Sequence, residues 1–188
     1  MGGNLKGTGW LSIKEFYENK IGSDGVQKVV RALSAEDQAA LSKLVLPSTW
    51  FSYDAFVHFL LKAEEVHGTK DKTLMAEANR YAARKDFGGI YKALISFMNP
   101  NWVLKSSAML YHAFYSEGEL VVEKYDKDAK EVYVRLSDFP TVPLYHEFET
   151  TPYSEELLRM SGCKNPKGSH PKCMARGDDH CEWKFTWE

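Results

Sequence analysis

The stretch His170-Pro171-Lys172-Cys173-Met174-Ala175-Arg176-Gly177-Asp178-Asp179-His180-Cys181-Glu182-Trp183-Lys184-Phe185-Thr186-Trp187 decides how the rest of the chain is read. From Cys181 onward the residues alternate. Cys181, Trp183, Phe185 and Trp187 fall on one side, and Glu182, Lys184 and Thr186 on the other. A period of two marks a strand with one face buried. Arg176-Gly177-Asp178-Asp179 supplies turn residues, so Lys172 to Ala175 is expected to fold back as the partner strand. With the three-residue loop Arg176 to Asp178, Cys173 lies opposite Cys181; a four-residue loop shifts that pairing by one.

Two inward cysteines across a tight turn admit three readings: ordinary core thiols, a cross-strand disulfide, or thiolate ligands of a metal. His170 adds an imidazole three residues before the first thiol, which together make three of the four ligands of a structural zinc. Pro171 favours an extended backbone at His170 and a local break in strand pairing, which can turn the imidazole toward the thiols.

Upstream of the hairpin the pattern is first helical. Leu11 to Lys20, closed by Gly22, and Asp24 to Leu33 read as two short helices. Ser34 reads as the cap of a third helix running to about Leu44, with Glu36 and Asp37 in its first turn. Ser52 caps a helix whose Phe56, Phe59, Leu60, Ala63 and Val66 form one apolar stripe. Another follows over Thr73 to Lys85, with Leu74, Ala78, Tyr81 and Ala82 on one side. Asn99 and Pro100 look like the start of a helix carrying Val103, Ser107, Leu110 and Phe114. After Gly118 the period changes. Glu119 to Tyr125 and Glu131 to Leu136 are rich in Val and Tyr and predict a β-hairpin. A helix is expected between Tyr145 and Met160, broken or restarted near Pro152. The fold class that results is α+β: a helical N-terminal part packed on a small antiparallel sheet that ends in the Cys-bearing hairpin. One domain is expected over 1–188, helical over about 9–116 and mixed over about 117–188.

A hydrophobic content of 44% places the chain among globular proteins, and a net charge of −2 gives no electrostatic case for nucleic acid. No apolar run approaches membrane-spanning length, and the N-terminus lacks the apolar core of a signal peptide, so a cytoplasmic address is expected. Three cysteines crowded toward one end suit a metal site or free thiols better than a disulfide framework.

The run His-x-x-Cys-Met-Ala-Arg-Gly-Asp-x-x-Cys-Glu-Trp, ending in Thr-Trp, is similar to the C-terminal signature of the 4-vinyl-reductase-type domain, a small-molecule-binding module also used as the sensor part of bacterial regulators. Gly25-Val26 and Leu46-Pro47-Ser48-Thr49-Trp50 resemble an uncharacterised paralogous family abundant in myxobacteria, whose members end in a similar signature. In phenol-sensing relatives an acidic residue, a cysteine three positions on, a second cysteine eight positions later and a cysteine on the preceding helix hold a metal. The resemblance implies His170, Cys173 and Cys181 in the first three places, with His replacing the acid. The helix thiol is missing, His146 or Glu147 stands near its place, and Cys163 competes as the fourth ligand.

The function expected on these grounds is a non-catalytic small-molecule-binding or sensing module with a structural zinc. Its ligand would be a small apolar or aromatic compound, with Trp102, Tyr111, His112 and Tyr115 as candidate binding residues beside Trp50 and Phe51. Its signal would leave through a homodimer or a regulatory partner. One alternative is a dimerising adaptor, since the same fold resembles subunits of vesicle-tethering complexes; it would expose an apolar helix face and enclose no cavity. The other is a metal-dependent enzyme, with Glu147, Asp178 or Asp179 as base. No His-Glu-x-x-His, phosphate loop or serine elbow accompanies them.

Overall fold

The computed structural model describes residues 2–68, 71–88, 106–140 and 146–188. Six α-helices and six strands occur among them: β1 (Asn4–Lys6), α1 (Gly7–Arg31), α2 (Ala35–Leu41), β2 (Trp50–Ser52), α3 (Tyr53–His67), α4 (Thr73–Asp86), α5 (Ser107–Phe114), β3 (Glu119–Asp126), β4 (Glu131–Ser137), α6 (His146–Met160), β5 (Lys167–Lys172) and β6 (Cys181–Thr186). The α+β architecture is the one the periodicities predict.

The two expected N-terminal helices are both present, and they meet within the α1 span at a kink. Gly22 sits inside α1 at φ 74° and ψ 166°, so the chain turns there and resumes its helix without a loop. Ser34 caps α2 as expected: its hydroxyl oxygen accepts from the Asp37 N–H at 3.1 Å. The helix stops at Leu41, short of Leu44, which is exposed. Ser52 caps α3, and Phe56, Phe59, Leu60 and Ala63 are buried along it. The pairing of β1 with β2, Leu5 opposite Phe51, had no signal in the sequence. Three-residue strands are too short to show a period.

The main sheet is antiparallel in the order β3-β4-β6-β5. Its two central strands face each other through Val132 and Phe185, Val134 and Trp183, and Leu136 and Cys181. All six are buried and form the floor of the core. α4 packs on α1 and α6, α6 on β5, and α5 on β3. The helices thereby roof the inner face of the sheet. α6 is unbroken through Pro152, against the interruption expected there. The Asn99 and Pro100 helix start lies outside the described residues.

The final hairpin departs from the sequence reading in its turn. β5 ends at Lys172, and Met174–Arg176 form a 3₁₀ turn rather than a strand. The connection is therefore longer than three or four residues. Asp178 explains this: its carboxylate accepts from the Cys173 N–H at 2.7 Å, while the Cys173 carbonyl accepts from the N–H groups of Arg176 and Asp178. Gly177 takes φ 93° to close the loop. Lys172 pairs with Glu182, so the two cysteines still end up side by side.

Candidate functional site

Two adjoining sites share Trp183, whose ring is fully buried. Ser169 pairs with Lys184 and Lys172 with Glu182, so β5 carries one extra residue across His170-Pro171. That bulge lays the His170 ring flat on the Trp183 indole, centroids 4.3 Å apart with an interplanar angle of 6°. His170 is held by this stacking, and neither of its buried ring nitrogens has a hydrogen-bond partner among the described residues. From α6, the 2% exposed His146 brings its Nδ1 to 3.2 Å from Cys181 Sγ, and Cys181 Sγ lies 3.8 Å from Cys173 Sγ. One ligand atom from each of His146, His170, Cys173 and Cys181 lies within 4.8 Å of the others. Cys163 lies apart from this cluster, with its Sγ 4.0 Å from the Ser161 hydroxyl. Glu147 is exposed.

Burial sets the charge of the cluster. It lowers the His146 pKa to about 4, and with the help of Arg176 lowers that of His170 to about 4 as well. It pushes the Cys181 thiol up to about 12, against the N–H of Met174, which donates to its sulfur. Without a cation the imidazoles and this thiol are neutral at pH 7, and the donor set is two nitrogens and two sulfurs.

The second site is a cavity of about 180 Å³ between the helices and the sheet. Its wall includes Ile13, Phe56, Ala82, Val134, Trp183 and Phe185. Tyr111 and Tyr115 line it as expected residues of α5 and its C-terminal end, stacked on each other at 5.0 Å. His112 points to the exposed side of α5, outside the wall, and Trp102 lies outside the described residues. Trp50 is half exposed under the Lys6 ammonium.

The cavity also holds polar residues that the sequence reading missed: Asp86 at the end of α4, and Glu149 and Tyr153 one turn apart on α6. The Ser12 and Tyr153 hydroxyls donate to Asp86 at 2.5 and 3.1 Å, and the Tyr115 hydroxyl donates to Glu149 at 2.7 Å. Burial raises the Asp86 pKa to about 6 and lifts those of Tyr111, Tyr115 and Tyr153 well above the usual tyrosine range. The i, i+4 spacing of Glu149 and Tyr153 was visible in the sequence, but nothing there showed that this face of the helix turns inward.

No protein family and no curated protein matches this sequence. Solved structures match it over nearly its whole length. An unliganded Fe(II) H-NOX protein mutant from K. algicida has a TM-score of 0.69 at 12% identity, covering 97% of this chain and 96% of its own. The SO2144 H-NOX domain from Shewanella oneidensis in its Fe(II)CO state has a TM-score of 0.68 at 10% identity, covering 98% and 99%. A structure concerned with heme redox potential and porphyrin distortion has a TM-score of 0.65 at 12% identity, covering 97% and 99%. At such identities the likeness is one of fold.

This finding overturns the expected kinship. Chains sharing the architecture are H-NOX domains, and nothing supports membership of the 4-vinyl-reductase-type or the myxobacterial family. The signature was misleading because alternating aromatics and a Gly-Asp turn are what a half-buried hairpin requires in many families. Zinc as the cofactor falls with it, since the matched structures are described with iron and heme.

Heme, with which such neighbours are described, needs an axial side chain on the iron and partners for two carboxylates. Among the described residues the cavity wall carries no Lys or Arg, and its acidic members are Asp86 and Glu149. A porphyrin would set its own carboxylates against those acids, in a space of about 180 Å³. His146, the imidazole on the wall, already faces Cys181. The described wall does not fit heme.

Proposed function

We propose that this chain is a non-catalytic sensor module that takes a compact apolar molecule into the cavity roofed by α1, α4 and α6. The observation that carries this reading is the cavity itself, an apolar space with few polar handles, which is the usual make-up of a ligand site. Its volume is close to the roughly 150 Å³ at which an apolar cavity admits benzene, so a single-ring ligand is the natural size. The cavity weighs against the adaptor reading, which expects an exposed apolar helix face instead. The fold likeness supports sensing, since one H-NOX neighbour is described in a carbon monoxide ligation state.

Thermal unfolding with a panel of single-ring aromatic compounds tests the proposal. A compound that binds only the folded state stabilises it by RT ln(1 + [L]/Kd), about 2.7 kcal/mol at a hundred times Kd. A rise in Tm for at least one compound is expected, and a flat response across the panel overturns the reading.

His146, His170, Cys173 and Cys181 are proposed, separately, as ligands of a transition-metal ion. The grounds are their mutual proximity and the lack of a hydrogen-bonding partner for His170. The identity of the ion is the readout: elemental analysis of protein purified without chelators should find about one equivalent, lost in Cys173→Ser. Absence of metal in the unaltered protein overturns this assignment.

A further inference from the structure

Among the described residues four large apolar side chains are exposed, and three of them, Leu44, Leu46 and Trp50, fall on the connection from α2 to β2 and the first residue of β2. Leu44 is 86% exposed, Leu46 50% and Trp50 48%. A single exposed leucine is ordinary. Three such groups within residues 44–50 form a patch, and a patch calls for an occupant.

The backbone of this loop is already accounted for. α1 has no side-chain cap at its N-terminus, and the loop supplies one: the Gly7 N–H donates to the Thr49 carbonyl at 2.8 Å and the Thr8 N–H to the Pro47 carbonyl at 3.2 Å. Thr49 folds back on Leu46, its hydroxyl donating to the Leu46 carbonyl at 2.8 Å. Val45 turns toward Gly7, where a β-carbon would lie 2.6 Å from its Cγ1. With Val45 directed inward, Leu44 and Leu46 on either side of it are directed outward. Capping therefore fixes the loop in place but asks nothing of the three apolar side chains.

The loop and the strand beside it carry charge of one sign. Residues 42–53 contain Lys43 and no carboxylate, and residues 2–8 contain Lys6 and no carboxylate. The Lys6 ammonium lies 3.7 Å from the centroid of the Trp50 ring and donates to the Ser48 carbonyl at 3.2 Å. Three apolar side chains are far fewer than the roughly 20–30 residues that each side of a stable protein interface uses, and lysine is depleted from such interfaces. A bilayer surface takes the opposite mixture, with tryptophan and leucine at the acyl boundary and lysine among anionic headgroups.

We propose that residues 43–50 form a peripheral contact with an anionic lipid bilayer, in which Leu44, Leu46 and Trp50 enter the headgroup region and Lys6 and Lys43 meet lipid phosphates. Because the loop is held by the end of α1 before contact, little ordering accompanies binding. The contact is weak and reversible, since its apolar area is small, and it weakens with salt.

Sedimentation of the full chain with vesicles of phosphatidylglycerol and phosphatidylcholine in equal parts, against vesicles of phosphatidylcholine alone, tests this at about 0.1 M salt. Partition onto the anionic vesicles is expected to be about tenfold stronger or more. Lys43→Gln should weaken it about fivefold. Leu44→Ser combined with Leu46→Ser should weaken it about tenfold or more and leave the Tm unchanged, because both side chains face solvent. Absence of binding to anionic vesicles, equal binding to both kinds, or undiminished binding of the leucine variant overturns the proposal. A dimer in analytical ultracentrifugation that disperses in the leucine variant, with vesicles left unbound, also overturns it and makes the loop a contact between copies of this chain.

Discussion

Asp86 shows how one residue ties the cavity to stability. Burial raises its pKa from 3.8 to about 6, even though the Ser12 and Tyr153 hydroxyls hydrogen-bond its charged form. The folded protein therefore holds that proton more tightly than the unfolded chain does. Stability from this group is greatest below about pH 4 and declines as the pH rises through 6, at a cost of about 2 kcal/mol after allowance for partial contact with solvent. Asp86→Asn should raise urea-determined stability at pH 7.5 by about 1–2 kcal/mol and flatten the profile between about pH 4 and 6.5. A variant less stable than the parent at pH 7.5 would show that the hydroxyl contacts outweigh the burial cost. The candidate site was partly legible at this scale. Cys173, Cys181 and His170 were named from spacing and His146 only as one alternative that the family resemblance implied, and the structure brings the four together. Asp86 and Glu149 were not named, because a carboxylate on an amphipathic helix reads as solvent-facing until the helix is placed.

Among the elements, the sequence located the break in α1 but not the turn of the β5–β6 hairpin. Gly22 closes the first helix, as expected, and the second resumes directly after it. Its φ of 74° with ψ of 166° belongs to a region that only glycine occupies readily. A Cβ there would meet nothing within 4 Å, so the penalty for Gly22→Ala is one of backbone alone. A loss of about 1–3 kcal/mol is expected in denaturant unfolding, without change in ligand affinity. An unchanged midpoint would mean that α1 tolerates a straight path. In the hairpin, alternation over Cys181 to Phe185 identified the strand and its inward face, which the burial of Cys181, Trp183 and Phe185 matches. The loop length was not legible: it depends on the Asp178 side chain capturing the Cys173 N–H, a contact across five residues that no period encodes.

For the whole molecule, the cavity is a gap left where α1, α4, α5 and α6 meet a sheet whose inner face is already filled. Ala82, buried on α4, borders that gap. Ala82→Leu should fill part of it, leave thermal stability within about 1 kcal/mol of the parent, and abolish the ligand-induced rise in Tm. Retained binding in that variant would place the ligand elsewhere. None of the described helices is long and apolar enough to cross a membrane. α6 contributes Glu149 and Tyr153 to the cavity and His146 to the Cys/His cluster, so it is an element that both sites share.

The sequence by itself determined the α+β class, the caps at Ser34 and Ser52, the buried stripe of α3 and the inward alternation of the sheet. Each of these depends on residues within a turn or two of one another, where side-chain period and local hydrogen bonds suffice. Tertiary structure alone decided the fold likeness, the β1–β2 pairing, the adjacency of His146 to Cys181 and the existence of the cavity. These depend on how helices far apart in the chain pack over the sheet, and a space between elements leaves no mark on the period of any one of them. The kinship drawn from the C-terminal motif failed for a related reason. A hairpin's local requirements are shared by many folds, whereas the arrangement of the roof above it distinguishes this one.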